Sequence, residues 1–494
     1  MIRGATVYDG SAGTPRHADV AVTGQRIAAI GDLTAEAAGT EVDGRGLALA
    51  PGFIDVHSHD DFAVFLTPAM DFKVAQGVTC DVVGNCGLGA APLLAAGTSM
   101  AVVVADAQRA SLPAWDGYGG YLDAIDADPP SINLAVLVGH GTVRVDAVGN
   151  QRRPPTGAEQ ARMVDLLEEG LGAGCVGFST GLIYEPGRYS TSEELVALAS
   201  VMASHAGVYA SHMRNESDRL LDAVAETIHI GEAGGVPVQI SHHKASGRGA
   251  WGLVRDSLAM IDEARARGTD VTADQYPYTA ASTSLAAVVQ NYEEGASGLG
   301  PTDWSAVVMA SSPGHPAWEG ASLTELADRF GVDPVDAARR VVDAEGYAAA
   351  VVIHSMNEED VRTVMAHPST MIGSDGLPTV GGRPHPRLYG TFARVLGRYV
   401  RDERVLTLEE AIHRMTGMPA AKFGLAERGV IEAGAWADLV LFDPATVDDV
   451  ATYESPRRHP VGIRSVWVNG TLVVRDGVHT GERPGRAVRR AQTS

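Results

Sequence analysis

The chain has 494 residues, 45% of them hydrophobic and 20% charged, with a formal net charge of −22 and a pI near 5.1. Those fractions describe a globular protein with a large core, too long for one ordinary domain but suited to a barrel of roughly 250 residues with a smaller companion. The acidity and the lack of a basic stripe argue against nucleic acid and anionic membrane as partners.

No uninterrupted apolar run reaches the length of a membrane span, and residues 1–7 lack the basic and apolar regions of a signal peptide. Three cysteines, Cys80, Cys86 and Cys175, do not make a disulfide framework. A reducing, cytoplasmic location is the expectation.

The first fifty residues are short β-like pieces (5–7, 18–22, 27–30) separated by Asp-Gly and Thr-Gly turn signals. The last seventy are similar, with pieces at 437–442, 463–468 and 472–474 and a hairpin signal at Asn469-Gly470. The two ends, 1–50 and 421–480, are expected to form one small β-sandwich domain, with 481–494 a loose tail.

Residues 51–420 alternate between strand and helix. Strand C-termini are expected at 56–59, 82–85, 136–140, 176–179, 208–212, 238–242, 271–275 and 371–375, with helices such as 191–203 and 219–233 between them. Thr191 with Glu194, and Thr407 with Glu410, have capping-box spacing. Eight such strands predict an α/β protein built on a (β/α)8 TIM-like barrel. A ninth strand candidate at 348–353, and the irregular 285–350 with its Gly- and acid-rich stretch 291–302, read as an insertion near the barrel mouth, a lid that closes over substrate.

In Ile54-Asp55-Val56-His57-Ser58-His59-Asp60, His57 and His59 stand two apart at a strand end and share a face. Such a pair suits a divalent metal, although it also fits two unrelated polar residues. Cys86, His212, His242 and Asp375 recur at other strand ends, where a TIM barrel carries its active site. Imidazole, thiolate and carboxylate together suit zinc. Cys86 lies between small residues that would let a thiolate approach a metal; the alternative is a buried inert cysteine. Cys80 and Cys175, inside apolar runs, read as inert. His243 faces away from His242, and His140, His205, His354 and His367 read as structural.

The stretch Pro51-Gly52-Phe53-Ile54-Asp55-Val56-His57-Ser58-His59 resembles the first-strand signature of the amidohydrolase superfamily. Gly84-Asn85-Cys86-Gly87, Gly177-Phe178-Ser179-Thr180-Gly181-Leu182-Ile183-Tyr184 and Ser211-His212-Met213-Arg214-Asn215-Glu216 are similar to stretches of the D-aminoacylase (N-acyl-D-amino-acid deacylase) family. So are Ile240-Ser241-His242-His243-Lys244, Asp274-Gln275-Tyr276-Pro277-Tyr278, Gly373-Ser374-Asp375-Gly376 and His385-Pro386-Arg387-Leu388-Tyr389-Gly390-Thr391-Phe392. The likeness runs in order through about residues 1–475.

The resemblance implies zinc-dependent hydrolysis of N-acyl-D-amino acids to a carboxylate and a free D-amino acid. It implies one tight zinc on Cys86, His212 and His242, and a second, weaker site on His57 and His59, with Asp375 beside both as ligand and acid/base. Tyr184 would hydrogen-bond the oxyanion, and Lys244, Tyr276, Ser282 and Arg387 would bind the substrate carboxylate. Read without the resemblance, Tyr184 is also a packed loop aromatic and Lys244 and Arg387 ordinary surface charges. Many amidohydrolases bridge two metals with a carboxylated lysine. Of the three lysines here, Lys73, Lys244 and Lys422, none stands near Ser179 at the end of the fourth strand, which leaves a thiolate as the permitted ligand.

Rival expectations are hydrolysis of D-dipeptides, N-acyl-D-glutamate or N-acyl-D-aspartate, or cyclic amides. A different class is a non-catalytic assembly protein of the same fold. No pattern specifies an oligomeric state.

Overall fold

Eight apolar runs become strands buried along their length, as a parallel sheet covered by helices requires. They are β1 (Phe53–Asp55), β2 (Val78–Val83), β3 (Asn133–Gly139), β4 (Gly177–Gly181), β5 (Val208–His212), β6 (Val238–Ile240), β7 (Val271–Gln275) and β8 (Thr370–Ile372). The computed structural model describes residues 1–93, 95, 111–296, 298–299, 303–379 and 381–490. Each strand pairs in parallel with its neighbour in the sequence of strands. The ring closes where Ser58 and Gly376 form a parallel bridge and the Asp375 N–H donates to the His57 carbonyl at 2.7 Å. This is the (β/α)8 barrel, and its closing seam joins the His57–His59 strand end to Asp375.

Alternation sorts the strand residues. Ile54, Val56, Val82, Leu137, Val208 and Met371 fill the barrel interior, while Val83, Val136, Phe178, Tyr209 and Ile240 pack outward in the helical layer. Cys80 belongs to the first set and Cys175 to the second, and burial pushes both thiols far up, as in inert core cysteines. His243 turns to the helix Val254–Ala266, where its Nε2 lies 2.8 Å from Ser257 Oγ.

Thr407 and Glu410 form the expected reciprocal capping box. At Thr191 only half of it forms. Thr191 accepts from the Glu194 N–H, but the Glu194 carboxylate turns to His140 Nε2 and Arg144 Nε, each at 3.0 Å. A buried guanidinium needs a counter-charge more than an N-cap amide needs a second acceptor.

The chain ends meet as expected. Strands from residues 2–51 and 439–479 are hydrogen-bonded into one nine-stranded sheet, joined where Ala48–Pro51 pairs antiparallel with Leu439–Phe442. The tail does not hang loose. From Gly485 to Arg490 it lies along β3: the Leu134 N–H donates to Arg486 O at 2.9 Å, and Val488 N–H donates to Leu134 O at 2.7 Å. Arg489 pairs with Asp123 and Asp126. The basic residues that read as a solvated tail are what hold it to acidic helix ends; residues 491–494 lie outside the described ones.

Residues 281–353 form a three-stranded antiparallel sheet, with Ala350–Ile353 between Ala281–Ser284 and Val307–Ser311. The extra strand is thus the centre of the insertion, which carries its own apolar core around Leu285, Met309, Leu326 and Val341. Of the Gly- and acid-rich stretch, Ser297, Gly300, Pro301 and Thr302 lie outside the described residues. Among the described residues no helix is long and apolar enough to cross a membrane.

Candidate metal centre and substrate cavity

The predicted ligands converge. Cys86 Sγ lies 3.3 Å from His57 Nε2, 3.4 Å from His242 Nε2 and 3.6 Å from His212 Nδ1. Zinc–sulfur and zinc–nitrogen bonds of about 2.3 and 2.0–2.1 Å, meeting at a tetrahedral angle, put sulfur and nitrogen about 3.5 Å apart. The donor set therefore has the spacing that a small divalent ion requires. Asp375 Oδ1 lies 3.1 Å from His59 Nε2 and 3.6 Å from His57 Nε2, so His57 belongs to both halves of the cluster.

Carboxylates behind the imidazoles aim them. Asp274 Oδ1 is 3.1 Å from His57 Nδ1 and also accepts from the His242 N–H, which turns the His57 Nε2 toward Cys86. Glu216 Oε1 is 2.9 Å from His242 Nδ1 and does the same for His242. Such partners set the tautomer and raise ligand basicity. Neither carboxylate was assigned a role from the sequence. The signals were present: Glu216 stands four residues after His212, and Asp274 ends the seventh strand.

Three of the cluster residues have left-handed backbone, Cys86 at φ 55°, His242 at 34° and Asp375 at 50°. Non-glycine residues hold this conformation where surrounding structure over-determines it, most often at functional sites. For Cys86 the support is visible. Gly84, at φ 80°, lies so close to the Leu137 carbonyl oxygen that a Cβ would collide with it. Ser179 donates to the Gly84 carbonyl and accepts from the Gly87 N–H at 3.0 Å. Ser179, on the fourth strand, thus braces the cysteine loop.

The charges compensate one another. Burial alone would push the Cys86 thiol up, but the His57 and His242 imidazoles and hydrogen bonds from His212 and His242 hold it well below the usual thiol range. Burial likewise opposes ionisation of Asp375, yet the Arg387 guanidinium and the His242 and His57 rings hold its carboxyl well below the ordinary range. Burial would lower His59, but Asp375 and Cys86 raise it to about 9. A thiolate and a carboxylate ringed by imidazoles suit a cation, which binds by displacing protons.

Beneath the seam lies a second buried charge cluster. Lys73 Nζ is 2.5 Å from Asp55 Oδ2, 3.0 Å from Asp60 Oδ2 and 3.7 Å from Asp81 Oδ2, and donates to Ser374 Oγ at 3.0 Å. Asp55 Oδ1 in turn accepts from the N–H groups of His57 and Ser374. Lys73 thus ties the strand end of the two histidines to the one carrying Asp375. We expect Lys73→Met to cost about 3–5 kcal/mol, because it strands three buried carboxylates without a cation. Thermal unfolding checks this, and an unchanged midpoint would mean that the cluster is not a charged anchor.

A cavity opens over the cluster, lined by His59, Cys86, His212, His242 and Asp375 on its floor and by Tyr184, Lys244, Tyr276 and Ser282 on its walls. The insertion supplies Ser282 and Thr283, and Thr283 Oγ1 lies 3.1 Å from the Tyr184 hydroxyl. Lys244 is not a surface charge: its Nζ is 2.5 Å from Glu216 Oε1. Arg387 is fully buried and stands behind the wall, with Nη1 2.9 Å from Asp375 Oδ2 and Nη2 donating to the Ser282 carbonyl at 3.2 Å. Its guanidinium carbon lies 4.5 Å from the Tyr276 ring centroid.

Known proteins share this arrangement of chain. The model of the amidohydrolase family matches residues 40–274 and 251–474. An N-acyl-D-glutamate deacylase of Alcaligenes xylosoxydans xylosoxydans is 43% identical over 490 residues, covering 99% of this chain and 96% of that protein. A D-aminoacylase of the same organism is also 43% identical, covering 99% and 97%. The crystal structure of N-acyl-D-glutamate deacylase from Bordetella bronchiseptica, complexed with zinc and a phosphonate mimic of the tetrahedral intermediate, matches with a TM-score of 0.89 and 43% identity, covering 99% of this chain and 98% of that one. The chain belongs to the amidohydrolase family, in its D-aminoacylase (N-acyl-D-amino-acid deacylase) branch.

Proposed function

We propose that the chain hydrolyses the amide bond of linear N-acyl-D-amino acids, releasing a carboxylate and a free D-amino acid. In this reading zinc is held tightly by Cys86, His212 and His242, and more weakly by His57 and His59. The observation that carries the reading is Asp375, whose Oδ1 faces the imidazoles while Arg387 holds Oδ2, on the floor of a cavity with its own cationic wall residue. The D-configuration is taken from the relatives named for D-substrates.

Zinc held by these residues would supply Lewis acidity toward the acyl carbonyl and the attacking water. Asp375, kept ionised by Arg387 and the imidazoles, takes the proton of the attacking water and delivers it to the leaving amine, which departs poorly unless protonated. Burial pushes the Tyr184 phenol well up, so it stays protonated and can donate to the developing oxyanion. For the substrate carboxylate, Lys244 brings charge and Ser282 a hydroxyl. The Tyr276 hydroxyl, buried and without a hydrogen-bond partner among the described residues, is a donor in waiting. Arg387 Nε is likewise unpaired, and its charge lies directly behind Tyr276 and Ser282.

Hydrolysis of N-acetyl-D- and N-acetyl-L-amino acids by the zinc-loaded protein tests the reading. Amine release selective for the D-series is expected. Zinc bound with no turnover of either series would overturn the substrate, and failure to bind zinc would overturn the metal centre.

A further inference from the structure

Among the described residues, each carboxylate lining the cavity except one has a cationic partner. Glu216 is paired with Lys244 at 2.5 Å, and Asp375 with Arg387 at 2.9 Å. Glu185, which follows Tyr184 on the loop after β4, also lines the cavity. Its Oε2 accepts from Asn150 Nδ2 at 2.7 Å and its Oε1 from the Tyr189 hydroxyl, both neutral donors. The two arginines that flank this loop, Arg152 and Arg188, are engaged elsewhere, both on Glu294. Among the described residues no Lys or Arg forms an ion pair with Glu185. Asn150 lines the cavity too, and the hydrogen bond between them holds the Glu185 carboxylate at a wall that also includes Val145, Ala287 and Tyr347.

The same wall holds one basic residue among the described ones, Lys244, and Glu216 already engages it. A substrate with one carboxylate can share Lys244 and use Tyr276, Ser282 and the charge of Arg387 behind them. A second carboxylate, at the end of a side chain or of the acyl group, finds no further Lys or Arg among the described lining residues and meets Glu185. Like charges placed together repel, and a repulsive group discriminates as effectively as an attractive one. An ammonium or amide end, in contrast, pairs with Glu185, and an apolar end suits the rest of the wall.

We propose that Glu185 sets the charge preference of the cavity: it admits N-acyl-D-amino acids whose second arm is neutral or cationic and rejects dicarboxylates such as N-acyl-D-glutamate. This rests on the deacylase reading above and narrows its substrate class. On this basis the chain would differ in substrate charge from the 43% identical relatives named for D-glutamate.

The test compares kcat/KM for N-acetyl-D-glutamine, N-acetyl-D-glutamate and N-acetyl-D-lysine in the zinc-loaded protein, in Glu185→Gln and in Glu185→Ala. The wild type should favour glutamine over glutamate by about 100-fold, two powers of ten being about 2.8 kcal/mol. Either variant should narrow that ratio at least about tenfold and lower the lysine-to-glutamine ratio. Using ratios within one protein removes any loss of folded enzyme from the comparison. A wild type that takes glutamate as readily as glutamine, or ratios unmoved in both variants, would overturn the role of Glu185 while leaving the deacylase reading standing. No turnover of any of the three by the zinc-loaded wild type would sink the deacylase reading itself, and this inference with it.

Discussion

Asp375→Asn should lose about 10²–10⁴-fold in kcat, the range of a lost general acid/base, while its tight zinc stays bound. Asparagine keeps the shape and can still contact Arg387 Nη1, which lies 2.9 Å from the present Oδ2. It cannot take up a proton. The tight metal should survive because Cys86, His212 and His242 meet one another without Asp375: the cysteine sulfur is 3.4 and 3.6 Å from the two ring nitrogens. Zinc content and kcat measured on one sample separate the two roles. Zinc lost in step with activity would make Asp375 a structural ligand first; full activity with zinc retained would remove it from the chemistry.

Cys86→Ala is expected to weaken the tight metal by more than the 10–100-fold that follows loss of an outer partner of a metal ligand, and to abolish turnover at ordinary zinc concentrations. Cys86 Sγ stands at the centre of the cluster, within 3.6 Å of three imidazole nitrogens, so its removal takes away the negative charge that makes three buried histidines tolerable together. Zinc content after dialysis reads the loss directly. In cobalt-substituted protein, the sulfur-to-metal charge-transfer band of the wild type should vanish in the variant. A variant that retains zinc through dialysis would show that the histidines and Asp375 suffice and that the thiolate is dispensable.

Similar local logic explains why some parts of the site were legible and others were not. His57 and His59 are readable because side chains two apart on a strand must share a face. Cys86 is readable because small residues flank it at a strand end. Glu216 and Asp274 lie inside the family-like motifs, yet their task depends on ring orientations set by contacts across the barrel. Lys244 and Arg387 are both buried, and the ion pairs that make this tolerable, to Glu216 and to Asp375, cross between strand ends. The tail misleads for a similar reason. Gly485 and the arginines after it have the composition of a solvated end, and pairing with β3 together with the position of Asp123 and Asp126 turns them into an anchor.

What the sequence by itself determined is therefore the set of eight barrel strands, the pairing of the two chain ends, the place of the insertion and the identity of the metal-competent side chains. Apolar runs, turn residues and period-two placement are local properties, and they survive without knowledge of the fold. The tertiary structure alone decided which charge meets which. His57 finds Asp274 across 217 residues, His59 finds Asp375 across 316, and Ser374 finds Lys73 across 301. Among the described residues it also gave Glu185 the neutral donors Asn150 and Tyr189 rather than a Lys or Arg partner. Buried charges interact through distance and desolvation, and neither is written in the spacing of residues along the chain.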